Sequence, residues 1–256
     1  MWDIFKPKDD TWYCWHLNGA AAYLRKSGEV WHIAFKTIPF CDRTGKLGGP
    51  VTEEPPASLP KTCAWGAGAE ILLHPYLSEL PYILKFRETL KIMPGQKARF
   101  TAELPPLLKF ELSPEAVLAE AMPLVPHKTL FGPDTMIGKL GYSLHDALVP
   151  KQTKETAAAS ILVRCDIFIT NKSKTAFEME NFIIYPKPFN VYAHKDGLIA
   201  DTMEFEIMSE ILGAEYTNKT NLVQVKDKGY RLISAGTKAG VEEIRHIIKD
   251  IGRDIL

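Results

Sequence analysis

The stretch SILVRCDIFIT, residues 160–170, places Ile161, Val163, Cys165, Ile167 and Ile169 at every second position. A period of two sends successive side chains to opposite faces of a strand, so this pattern buries one face and leaves the other wet. A helix would spread the same five residues around its circumference. The alternation recurs along the chain and sets its class. LKFRETLKIMPGQKARFTAEL, residues 84–104, shows it twice. Leu84, Phe86, Leu90 and Ile92 share one face, with Glu88 the exception, and Ala98, Phe100, Ala102 and Leu104 share another.

The turns carry the same message. In Met93-Pro94-Gly95-Gln96 the proline fixes φ and the glycine accepts a positive φ, as a type II turn requires. Such a turn splays its strands, which predicts a corner between two sheets rather than a flat hairpin. Ser27-Gly28 and Asp196-Gly197 each separate two β-prone runs and predict hairpins. Beyond the second, Ile199, Met203, Phe205 and Ile207 are expected on one side of a strand, with Asp201 the exception. FIIYPKPFNVY, residues 182–192, holds two prolines that cannot donate to a ladder, and so marks an edge or a crossing between sheets.

Two segments read as helical. SPEAVLAEAM, residues 113–122, has Ser113 at a cap position and Pro114 at the first helical position. KAGVEEIRHIIKDIGRDIL, residues 238–256, sets Val241, Ile244, Ile248 and Ile251 on one amphipathic stripe. The expected fold is therefore mainly β, an antiparallel sandwich-like architecture with a short internal helix and a C-terminal amphipathic helix. Residues 1–210 form the β-rich domain and 211–256 a C-terminal extension ending in that helix. The Gly- and Pro-rich residues 41–61 are expected to be a mobile or lightly tethered loop.

Charge narrows the function. Lys plus Arg and Asp plus Glu number 31 each, so no global field draws in nucleic acid, and none is expected as a partner. No window approaches the ~18 apolar residues of a membrane-spanning helix, and the charged N-terminus lacks a signal-peptide core. The cysteines, Cys14, Cys41, Cys63 and Cys165, match neither a CxxC knuckle nor a compact disulfide framework. Reduced thiols in a cytoplasmic protein follow as the expectation.

Catalytic motifs are missing from the sequence. KTLFGPDTMIGKLGYSL, residues 128–144, is glycine-rich, but Gly138-Lys139 is followed by Leu140 rather than the Ser or Thr of a phosphate loop. It reads as a bent connection. His16, His32, His74, His127, His145, His194 and His246 show no HxH, HxxxH or HExxH spacing, and no metal or cofactor is expected. No GxSxG elbow occurs; Cys63, in TCAWGAGAE, is a weak nucleophile candidate. The pairs Glu178/Glu180 and Glu204/Glu206 have the spacing of a half-solvated strand.

The order of KTLFGPDTMIGKLGYSL and SILVRCDIFITNKSKTAFEMENFIIYPKPFNVYAHKDGLIADTMEFEI resembles an uncharacterised prokaryotic family, domain of unknown function 432. The resemblance rests on the Phe-Gly turn, the Asn-x-Ser turn after an alternating strand, and the proline-bracketed strand before a hairpin, over roughly residues 12–210. It implies no activity and no catalytic residues. Some members are joined to mechanosensitive-channel-like membrane domains, which implies an accessory or sensing role; no such portion is expected in this sequence.

Two function classes stand. The first is a non-catalytic binding or accessory module for a protein partner or small ligand. The alternative is an enzyme acting on a carbohydrate or other polar metabolite, with a site assembled from dispersed residues. Ligand-facing candidates are Trp12, Trp15, Trp31, His74, His145 and His194; a catalytic set and the oligomeric state are left open.

Overall fold

The computed structural model describes residues 4–17, 20–37, 50–66, 68, 70–113, 116–121, 127–128, 140–145, 148–149, 162–194, 197–211, 215–225 and 229–237. Strands dominate. One sheet runs β1 (Ile4–Phe5), β7 (Ile71–Tyr76), β10 (Leu107–Ser113), β11 (Ala116–Ala121). A second sheet runs β5 (Val51–Thr52), β2 (Tyr13–Leu17), β3 (Ala20–Ser27), β4 (Val30–Thr37), β6 (Thr62–Trp65). The third is ordered β12 (His127–Lys128), β13 (Leu140–His145), β8 (Tyr82–Ile92), β16 (Phe177–Ile184). The fourth runs β14 (Leu148–Val149), β9 (Lys97–Leu104), β15 (Val163–Asn171), β18 (Gly197–Ala200), β17 (Val191–His194), β21 (Arg231–Ser234). In that fourth sheet β19 (Thr202–Ile211) also pairs with β15, and β20 (Glu215–Val223) with β19.

Most pairings are antiparallel, as expected. The exceptions are central: β13 runs parallel to β8, and β15 runs parallel to both β18 and β19. Edge-to-face aromatics join the layers. Trp15 of the second sheet meets Phe110 of the first at 5.5 Å between ring centroids. Phe182 of the third sheet meets Phe100 and Phe205 of the fourth at 5.8 and 5.6 Å. These residues belong to one hydrophobic core that reaches from Trp15 to Ile207. β15 supplies its centre, with Val163, Cys165, Ile167, Ile169 and Asn171 buried and the residues between them half-buried.

Several turns behave as their chemistry dictates. Gln96 N–H donates to the Met93 carbonyl at 3.0 Å, with Gly95 at φ 75°. The chain there leaves the third sheet at Ile92 and enters the fourth at Lys97, so the turn is a corner. Gly28 closes the β3–β4 hairpin at φ 58°, and Gly197 opens the outgoing strand of the β17–β18 hairpin. The two prolines, 186 and 188, fall where the chain crosses from β16 in the third sheet to β17 in the fourth.

The short internal helix is overturned. Residues 116–121 are strand, paired antiparallel with β10 from Leu108↔Ala121 to Ser113↔Ala116. So short a helix forms few internal bonds, and pairing along the exposed ladder of β10 outweighs its modest propensity. The expected C-terminal helix, residues 238–256, lies outside the described residues. β20 and β21 lie beyond residue 210 and pair with β19 and β17. Of the loop 41–61, the segment from residue 50 is described and is tied down: Val51 and Thr52 pair with Cys14 and Tyr13, and Leu59 packs against a small cluster that includes Trp12 and Tyr23.

A further difference concerns Asp201. Leu198 and Ala200 are buried before it, and Met203, Phe205 and Ile207 after it, so the inward parity switches. The register to β15 shifts by one residue between Leu198 and Met203, which makes this a bulge that re-aims the strand. The buried Asp201 carboxylate accepts from the Asn190 N–H and Nδ2 and from the Tyr192 hydroxyl, at 2.8–2.9 Å. Burial is tolerated because its oxygens are bonded.

Candidate functional site

The second sheet has two faces of different character. Tyr13, Trp15, Ala22, Leu24, Trp31, Ile33 and Phe35 point into the main core. Trp12, Cys14, Ala21, Tyr23 and Ala34 form a separate, smaller cluster on the opposite face, covered in part by Leu59. Strand periodicity separates the two sets, since Cys14 and His16 flank Trp15 in sequence but face away from it.

On this outer face four polar side chains converge. Cys14 and His16 project from β2 at i and i+2. Glu53 follows β5, where its N–H donates to the Trp12 carbonyl at 3.3 Å. Tyr23, on β3, lies directly across from Cys14. The Cys14 Sγ is 3.6 Å from His16 Nε2, and that nitrogen is 2.9 Å from Glu53 Oε2. The Tyr23 hydroxyl donates to the other carboxylate oxygen, Oε1, at 3.1 Å. Cys14 is buried, whereas the His16 and Glu53 side chains are 41% and 42% exposed. The thiol therefore forms the floor of the group and the other two its mouth. Burial, reinforced by the Glu53 charge and opposed by Tyr23, pushes the Cys14 thiol up to about 12. Burial foremost also raises Tyr23, followed by the Cys14 and Glu53 charges, so its hydroxyl is a donor at neutral pH. Among the described residues, Cys14, His16 and Glu53 are a set whose ligand atoms all lie within 4.8 Å of one another, close enough for one metal ion.

A second polar group occupies the next row of the same face. The Arg25 guanidinium and Lys61 ammonium lie 5.1 and 5.5 Å from the Trp12 ring centroid, within cation–π range. His32 pairs across the β4–β6 ladder with Cys63, and its Nδ1 is 3.2 Å from the Cys63 Sγ. Burial, then the Arg25 charge, lowers the His32 pKa despite the opposing pull of Asp10. The charged imidazole is thus disfavoured, and the thiol donates to Nδ1 in the tautomer that leaves this nitrogen unprotonated.

The five ligand-facing candidates whose side chains are described do not gather at one site. Trp12 lies on the outer face just described. Trp15 and Trp31 are in the main core at 2% and 0% exposure. His74, on β7, lies 3.4 Å from Glu111 Oε2, though the two are not aligned for a hydrogen bond. His194, on β17, stacks on Tyr230 at 4.5 Å. The backbone of His145, in β13, pairs with Lys85 of β8; its side chain lies outside the described residues.

The spacings of His pairs and CxxC knuckles do not register Cys14, His16 and Glu53. Cys14-x-His16 carries the same geometric signal, since i and i+2 on a strand share a face. Glu53 gives no local signal; only the β2–β5 pairing brings it near.

Among the described residues no helix is long and apolar enough to cross a membrane. No curated protein and no solved structure matches the chain. The model of a family described as a protein of unknown function (DUF432) matches residues 1–238, nearly the whole chain. The chain belongs to the DUF432 family.

Proposed function

We propose that this protein is a non-catalytic binding or accessory module whose binding face is the exterior of the five-stranded sheet β5-β2-β3-β4-β6. One observation carries the reading: two adjoining rows of polar and aromatic side chains converge on a single, partly open sheet face. Cys14, His16, Tyr23 and Glu53 make one row, and Trp12, Arg25, Lys61 and His32 the other.

The chemistry of the second row favours an anionic group on a small ligand or a protein segment. Arg25 and Lys61 are cations held over an aromatic ring. A carboxylate or phosphate would pair with these two charges.

The test is a nuclear magnetic resonance titration of the ¹⁵N-labelled full chain with inorganic phosphate, citrate and a Glu-rich peptide. Shifts concentrated at the Trp12 indole and the amides of β2, β3 and β4 support the reading. Shifts confined to other sheets, or conversion of an added compound into product, overturn it.

A further inference from the structure

The floor and mouth formed by Cys14, His16 and Glu53 have a donor set and a geometry of their own. We propose that the Cys14 sulfur, His16 Nε2 and Glu53 carboxylate together hold one divalent first-row transition-metal ion of the zinc class, with one coordination position open to a further ligand. This names a ligand for the binding face and rests on that reading.

Three points support it. A sulfur and an imidazole nitrogen that share a tetrahedral zinc, at about 2.3 and about 2.0 Å from it, stand about 3.5 Å apart. Cys14 Sγ and His16 Nε2 stand 3.6 Å apart. The backbone brings the two together, because both side chains leave the same face of β2.

The donor set is also selective. Thiolate and imidazole suit zinc, cobalt and similar ions, whereas magnesium and calcium prefer all-oxygen shells. Three protein ligands leave a fourth tetrahedral position, which opens toward solvent on the side of the half-exposed His16 and Glu53.

The surroundings are built as a metal site's are. Tyr23 is buried and holds Glu53 Oε1, which leaves Oε2 turned toward His16. A hydrogen bond of this kind to a ligating carboxylate fixes its orientation. The register Cys14↔Tyr23 between β2 and β3 sets that support in place as firmly as the ligands.

The experiment uses the full chain, stripped with a chelator, and cobalt(II) as a spectroscopic stand-in for zinc. Cobalt is expected to bind one per chain, with thiolate-to-cobalt charge-transfer absorption and intense tetrahedral visible bands, and zinc is expected to displace it. Cys14→Ser removes the charge-transfer band. His16→Gln and Glu53→Gln alter half-exposed positions, so they leave the fold intact, and each weakens cobalt at least about tenfold; Tyr23→Phe weakens it about tenfold. An absent charge-transfer band, affinity unchanged in both His16→Gln and Glu53→Gln, or magnesium binding as tightly as zinc would each overturn the site. If cobalt and zinc do not bind while an anion still shifts the Trp12 row, the metal site falls and the binding face stands. If neither the ions nor the anions reach this face, both fall.

Discussion

The Asn171 side-chain amide donates to the Ile92 carbonyl at 2.9 Å, joining the end of β15 to the end of β8 across two sheets. The same Nδ2 donates to the Thr175 carbonyl at 2.8 Å, and Oδ1 accepts from the Ser173 N–H and hydroxyl at 2.9 and 2.6 Å. Its main chain holds the neighbouring corner: Gly95 N–H donates to the Asn171 carbonyl, and Asn171 N–H donates to Gln96. One fully buried side chain thus fixes where two layers meet.

Removing that side chain leaves several buried groups without partners. Asn171→Ala is expected to cost about 3 kcal/mol, since each buried polar group so orphaned costs roughly 1–3 kcal/mol. Asn171→Asp fares no better, because a carboxylate cannot donate to Ile92 or Thr175. Urea unfolding measures both, and a loss below about 0.5 kcal/mol for Asn171→Ala would show that the amide is not what joins the sheets.

Thiol reactivity separates the cysteines by burial. Cys63 is exposed beside His32, whereas Cys14 and Cys165 are buried, with burial raising both thiols. Timed labelling with an aromatic disulfide, read by peptide mass, is expected to modify Cys63 first of these three. His32→Ala is expected to slow that reaction severalfold. Equal rates at Cys63 and Cys165 in native buffer would contradict the packing of β15.

Acid is expected to weaken the fold through His74. Burial lowers its pKa, outweighing the attraction of Glu111, and Lys109 adds to the lowering. Below about pH 6.5, the ordinary histidine value, the unfolded chain therefore binds more protons than the folded one. Stability falls as pH drops from there until the imidazole also protonates in the folded state. Urea midpoints of the wild type and His74→Gln at pH 7.5 and 5.5 check this. The variant is expected to lose less between the two, and an equal or steeper loss would assign the acid sensitivity elsewhere.

Much of the layering was legible from local pattern. The alternation from Val163 to Ile169, the Pro94-Gly95 corner and the Asp196-Gly197 hairpin each rest on physics that acts within a few residues. Residues 116–121 were not legible as strand, because Ala-rich sequence fits either state and β10 decides. The parity switch at Asp201 depends on one extra residue against β15, which no property of residues 197–207 alone reveals. The candidate site divides the same way. Cys14 and His16 could be paired by spacing, but Glu53 lies 37 positions beyond His16 and Tyr23 reaches Glu53 only through sheet order.

X-ray absorption at the zinc edge of the zinc-loaded chain most directly tests whether Cys14, His16 and Glu53 on the exterior of the β2–β3 ladder hold a metal ion. The expected spectrum has one sulfur at about 2.3 Å and nitrogen or oxygen neighbours at about 2.0–2.2 Å, with the sulfur lost in Cys14→Ser. A shell of nitrogen and oxygen alone in the wild type, or a sulfur that persists in Cys14→Ser, would contradict it.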